Sequence, residues 1–130
     1  MRIEQEKVAA FHDKYGYTVA DRPSLLSPKD AAFRRMLIEE ETRELFTANE
    51  VGDIAGVADG LADLLYVVLG TAVFHGIDIQ PIFDEVHRSN MTKDLAKDGL
   101  NKPVKGPTFS PPRVAELVVI QSTGLEDLLR

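Results

Sequence analysis

The chain has 130 residues, a net charge of −6 and no cysteine, which excludes a disulfide framework and thiolate chemistry. The acidic balance and the lack of a long basic run argue against sequence-tolerant nucleic-acid binding. One domain spanning 1–130 is expected from length; no apolar leader follows Met1, so a cytoplasmic location is the default.

Residues 3–15 read as a short amphipathic helix marked by Ile3, Val8, Phe11 and Tyr15, with Gly16 as its stop. His12 is read as a partly exposed structural histidine, with substrate contact as the second reading. Residues 17–29 carry two prolines and no strand alternation, and form a connector. Ser27-Pro28-Lys29-Asp30 then opens a helix: Ser as N-cap, Pro at the first helical position, Asp in the first turn.

This helix and the next dominate the chain. With Phe33 at zero and about 100° per residue, Met36 falls at about 300°, Leu37 at about 40° and Leu45 at about 120°. An apolar stripe centred not far from zero would hold Glu40 at about 340°, Glu44 at about 20° and Glu41 at about 80°, whereas Glu39 lies off it at about 240°. Residues 49–53, NEVGD, make a turn short enough to set the following helix antiparallel, with Asp53 as its cap. Residues 54–74 are apolar on nearly every face and interrupted by Asp59 and Asp63, so they suit a central helix better than a membrane span. Asp59 and Asp63 are four apart and share a face. Facing carboxylates cannot all stay ionised in a low-dielectric site without a cation. With oxygen donors and no cysteine, that cation is Mg²⁺, or Mn²⁺ as an alternative. Taken singly, each acid is also explained as a solvated group, paired with Arg34, Arg35 or Arg43 or favoured by a helix dipole.

Asp78-Ile79-Gln80-Pro81 opens a helix over 79–91, with His87, Arg88, Asn90 and Lys93 gathered at its C-terminal end. These groups either complement the dipole or contact phosphate and sugar. Residues 94–113 lack helical periodicity, with turn signals at Asp98-Gly99 and Lys105-Gly106-Pro107. Residues 112–120 read as a short apolar helix, and the tail GLEDLLR as a further turn packing on a partner subunit.

The EExxE of the first acidic helix, the ADLLYV of the second, FDEVHRSNMTK at 83–93 and the later Lys105-Gly106-Pro107 together resemble the MazG-like and phosphoribosyl-ATP pyrophosphohydrolase-like all-α superfamily. The resemblance runs from Phe11-His12 to Pro111-Pro112. The expected fold is an all-α antiparallel bundle of four to five helices, and the apolar surface of 54–74 adds the expectation that its core is completed in a homodimer or homotetramer. Glu41, Glu44 and Asp63 match the metal-binding ExxE and ExxD patterns, with Glu40 beside them. Gly60 stands where the family usually has Glu, and Asp59 is the acid that could compensate. Glu40 or Glu41 is expected to take the proton from water; Tyr66, Asn90, Lys93 and Lys105 are expected to touch substrate, although Tyr66 also reads as a core aromatic. The implied reaction converts a nucleoside triphosphate, with deoxy or non-standard nucleotides favoured, to the monophosphate and pyrophosphate. Such an enzyme would clean or balance nucleotide pools, with no nucleic-acid or membrane partner. Phosphoribosyl-ATP hydrolysis ranks lower, because Val67-Val68 follow Tyr66 where that branch differs. A non-catalytic helical assembly module is the reading from another class.

Overall fold

The computed structural model describes residues 1–96 and 102–124. Its backbone gathers into two compact units, Met1–Asp78 and Ile79–Arg130. Among the described residues there are five helices: α1 (Arg2–Tyr15), α2 (Pro28–Glu50), α3 (Ile54–His75), α4 (Ile79–Asn90) and α5 (Val114–Thr123). The all-helical class expected from the sequence is the observed one.

In the first unit, α2 starts as its sequence demands. Ser27 Oγ accepts from the Asp30 amide at 3.1 Å, and Pro28 occupies the first turn, where its missing N–H costs nothing. Val51-Gly52 makes the turn, and Asp53 caps α3 by accepting from the Gly56 amide at 2.9 Å. The two helices run antiparallel: Arg34, early in α2, bonds to Val67 and Thr71 late in α3, while Leu45, late in α2, meets Gly60 early in α3. A Cβ on Gly60 would stand 2.9 Å from Leu45 Cα, so the missing side chain lets the two backbones touch. The C-terminal half of α3 is the core. Leu69, Gly70, Ala72, Val73 and Phe74 are buried, and Val8 of α1 is 2% exposed. The connector is strapped to this end of α3 by Ala20 N to Val73 O and Ser24 N to His75 O.

The second unit holds α4 and α5. Glu85 accepts two bonds from Arg88, at 2.7 and 3.0 Å, and one from the Arg113 amide at 2.7 Å. Arg113, the N-cap of α5, makes no capping bond with its own side chain, so a carboxylate on another helix supplies the acceptor. These contacts hold the Glu85 carboxyl at about 2, chiefly through the Arg88 guanidinium. α5 begins at Val114 rather than 112, because Pro111-Pro112 precede its Arg113 cap, and it runs on to Thr123. The described residues between α4 and α5 include an antiparallel bridge, Asp94 to Val104, with both bonds at 2.9 Å. The expected turn at Asp98-Gly99 and the tail beyond Gly124 lie outside the described residues.

Candidate active site

The buried arc of α2 is turned by about 90° from the one the apolar residues suggest. Arg34 and Leu45 are buried, Glu41 is half-buried, and Met36, Glu40 and Glu44 are exposed. The reason is Arg34. A charged residue offers no apolar mark in the sequence, yet it is 4% exposed, while Met36, counted toward the stripe, is 52% exposed. Of the three glutamates, Glu41 alone therefore points between the helices; Glu40 and Glu44 sit at the edge of the α2–α3 contact rather than within it. On α3, Asp63 is half-buried and Asp59 is exposed. Gly60 takes the place facing α2, so Asp59, one residue away, is carried about 100° around the helix. Asp59 is thus exposed, while Gly60 faces Leu45 of α2.

Glu41 and Asp63 share a cavity of ≈ 330 Å³. Leu37, Val67, Arg34 and His12 line it as well, and Arg34 and Glu41, seven residues apart on α2, are separated by about 10 Å along the helix axis. Four aromatic rings complete it: Phe11, Tyr17, Phe33 and Tyr66. Tyr17 is nearly parallel to Phe11, at 6.4 Å, and to Phe33, at 6.0 Å; Tyr66 meets Phe11 edge-on at 5.5 Å. Tyr66 is thus part of the pocket wall and not a core residue. A larger hollow of ≈ 560 Å³ on another face of Arg34 contains Glu39 but none of the five candidate acids.

The acidic end is electrostatically loaded. Glu41 Oε2 is buried and has no hydrogen-bond partner. Burial pushes the Glu41 carboxyl up, and the negative charges of Glu44, Asp63 and Glu40 push it further the same way. Among the described residues, no three His, Asp or Glu side chains are gathered closely enough to hold a metal ion. The donors nevertheless fit a hard divalent cation. An orphaned carboxylate oxygen among other carboxylates is a hard donor that such a cation would satisfy.

The cavity also carries two groups that sequence reasoning passed over. His12 is 3% exposed, not partly exposed as expected, and its Nδ1 lies 3.0 Å from the Thr18 carbonyl. Arg34 donates from Nε to Thr71 Oγ1 at 3.1 Å and from Nη2 to the Val67 carbonyl at 2.8 Å. Its guanidinium sits 4.9 Å from the Phe74 ring centre, and no carboxylate pairs with it among the described residues. Burial lowers both the Arg34 and the His12 pKa. The available signal was an Arg at the right angle on α2 combined with a Gly at 70, whose bare face makes room for both groups.

Three predicted substrate contacts fall in the second unit. Asn90 is exposed at the end of α4, Lys93 is half-buried in the turn after it, and Lys105 is exposed with Nζ 5.3 Å from the Phe109 ring centre. Arg88, grouped with them by its position in the sequence, is committed to Glu85, Ser110 and the Pro111 carbonyl.

A helical bundle that turns acids from two antiparallel helices toward one end of an aromatic pocket has the architecture of the MazG-like all-α pyrophosphohydrolases. The family model for phosphoribosyl-ATP pyrophosphohydrolase matches residues 8–90, more than half of the chain, and the chain belongs to that family. It is accordingly an enzyme acting on a phosphoric anhydride, which sets aside the reading as a non-catalytic assembly module. A search of curated proteins finds no match to the chain.

Proposed function

We propose that the chain hydrolyses nucleoside triphosphates, with deoxy or non-standard ones favoured, to the monophosphate and pyrophosphate, with Mg²⁺ or Mn²⁺ as cofactor. The observation that carries this reading is the orphaned, buried Glu41 Oε2 facing Glu44 and Asp63 at one end of a pocket walled by aromatic rings. Glu41, Glu44 and Asp63 would hold the cation. When bound, it would neutralise phosphate charge and polarise the phosphoryl oxygen. The rings of Phe11, Tyr17 and Tyr66 would stack against base and sugar and exclude water from them. Glu40, exposed beside Glu41, is the base we assign. It takes a proton from the attacking water, whose oxygen bonds to the α-phosphorus as the bond from that phosphorus to the bridging oxygen breaks. Pyrophosphate leaves with the bond electrons.

The family's description favours a second substrate, phosphoribosyl-ATP. A cavity of ≈ 330 Å³ lies at the small end of ligand sites, which run from about 300 to 1,000 Å³. It suits one base and its sugar better than a base carrying two ribosyl arms. The test is pyrophosphate release from a panel of NTPs, dNTPs and phosphoribosyl-ATP with Mg²⁺ or Mn²⁺. Turnover of triphosphates above phosphoribosyl-ATP supports the proposal; turnover of phosphoribosyl-ATP alone replaces it with the second reading.

Assembly is part of the proposal. Ile54, Leu61, Leu65 and Val68 form an exposed apolar row on α3, and a row of this kind suits a second copy of the chain in a homodimer or homotetramer. Light scattering tests it, and a monomer at working concentration would remove it.

A further inference from the structure

We infer that Arg34 and His12 form a base-reading pair that selects nucleotides whose base presents a carbonyl oxygen next to a ring N–H: uracil, thymine, guanine or hypoxanthine. The inference rests on the nucleotide pocket proposed above and adds its substrate class.

The Thr18 carbonyl can only accept a hydrogen bond, so His12 Nδ1, 3.0 Å away, must carry the proton. A neutral imidazole protonated there has a bare Nε2, which is an acceptor. Burial and the nearby Arg34 charge keep the ring neutral. Arg34 supplies the complementary half. Nε donates to Thr71 and one Nη2 hydrogen to Val67, which leaves the second Nη2 hydrogen and those of Nη1 as donors without a partner among the described residues. The two groups stand side by side: a Cβ built on Gly70 would lie 2.5 Å from Arg34 Nη2 and 2.9 Å from His12 Nε2. Both side chains are more than nine-tenths buried and both line the pocket.

A donor beside an acceptor reads one kind of base edge. Uracil and thymine offer O4 beside N3–H, and guanine and hypoxanthine offer O6 beside N1–H; each matches a free guanidinium N–H and Nε2. Cytosine and adenine reverse the pattern, with an amino donor beside a bare ring nitrogen. Against this pair they would set donor to donor and lone pair to lone pair. The unpaired buried groups would then carry the full desolvation penalty. The placement along the pocket is also right. Arg34 and Glu41 are seven residues apart on α2, about 10 Å along the axis, so a base held at Arg34 directs its phosphates toward Glu41 and Asp63.

The test uses matched pairs on the wild-type protein: dUTP against dCTP, and ITP against ATP. The expected kcat/KM preference for the carbonyl-bearing member is at least about 100-fold, in the range seen when a site built to hydrogen-bond a group meets a substrate lacking it. A metal-free readout accompanies it: dUMP and IMP raise the melting temperature, while dCMP and AMP do not. Arg34→Lys keeps a buried cation but loses the second donor nitrogen, and its expected signature is a raised KM for dUTP and ITP with a collapsed preference. Equal turnover and equal stabilisation within each pair would overturn the inference while leaving the hydrolase reading intact. So would competition by inorganic phosphate that Arg34→Lys abolishes, since it would make Arg34 a phosphate ligand. An edge preference in monophosphate binding without turnover of any triphosphate would support the base-reading pair and remove the reaction instead.

Discussion

The decisive perturbation is Glu41→Gln. In the folded protein Glu41 Oε2 is buried without a donor, and an unsatisfied buried polar atom costs about 1–3 kcal/mol. Glutamine removes the charge and places an amide donor among the carboxylates of Glu44, Asp63 and Glu40. Without divalent cations, the variant should therefore be more stable than the wild type by about 1–2 kcal/mol, or about 4–8 °C in melting temperature for a chain of this size. The pH dependence follows from the sign of the shift. The Glu41 pKa is raised above 4.5 on folding, so the folded state holds its proton more tightly than the unfolded one. Wild-type stability falls as pH rises from about 4.5 through the raised value, and the advantage of the variant should vanish on acidification toward 4.5. Adding Mg²⁺ should reverse the order. A cation at 100 times its Kd stabilises the wild type by about 2.7 kcal/mol and should act much less on the variant, whose turnover should fall at least about 100-fold. Thermal unfolding by circular dichroism at pH 5 and pH 7.5, with EDTA and with Mg²⁺, measures all of this. A variant no more stable than the wild type in EDTA, or one that gains equally from Mg²⁺, would refute the reasoning.

Three further outcomes are expected. Gly60→Ala places a Cβ 2.9 Å from the Leu45 backbone; the overpacking cost of about 1–3 kcal/mol should exceed the helix-propensity gain of up to about 1 kcal/mol, and an unchanged or higher melting temperature would contradict the close helix contact. His12→Asn keeps a donor for Thr18 but cannot titrate. Because the His12 pKa is lowered from 6.5 by burial and by Arg34, its contribution is full above about 6.5 and is lost as pH falls through the depressed value, so denaturant midpoints should decline more steeply below pH 6.5 in the wild type than in the variant. Glu85→Ala removes the acceptor at the start of α5; hydrogen exchange should quicken over 113–117 and stay unchanged in α3, and since the Glu85 carboxyl titrates at about 2, the wild-type protection should persist well below pH 4.5 and fade only as pH nears 2.

Most of the fold was legible because local chemistry and packing agree. Ser27, Asp53 and Gly16 begin or end helices where their sequences say they should, and the three-residue turn after Glu50 forces α3 back along α2. Apolar residues alone misplace the α2 face, because the buried Arg34 carries no apolar mark. Burial of Arg34 rotates the contact arc, with two consequences: Glu41 moves to its centre, and Glu40 and Glu44 move to its edge. Asp59 could not be placed without knowing that Gly60 serves as a contact point for the Leu45 backbone. Nor could periodicity separate Arg88, spent on Glu85, from the neighbouring Asn90 and Lys93.

Arg34 and Glu41 pose a physical question that local packing does not answer. They are opposite charges on one helix, Arg34 buried and Glu41 half-buried with one oxygen out of water, yet they do not neutralise each other: two helical turns separate them, and Leu37 lines the same cavity. Each is costly where it stands. A direct ion pair would have been available at a spacing of three or four residues, and replacing both by apolar residues would have been cheaper still. A cavity walled by aromatic rings occupies the gap instead. Separated, uncompensated charges at the two ends of an apolar slot are what a molecule needs if it must bind a ligand with hydrogen-bond acceptors at one end and a cation-dressed polyanion at the other. On the proposed reading, the instability held at Glu41 and Arg34 would be released when the ligand arrives, and a nucleotide with a divalent cation would meet both demands at once.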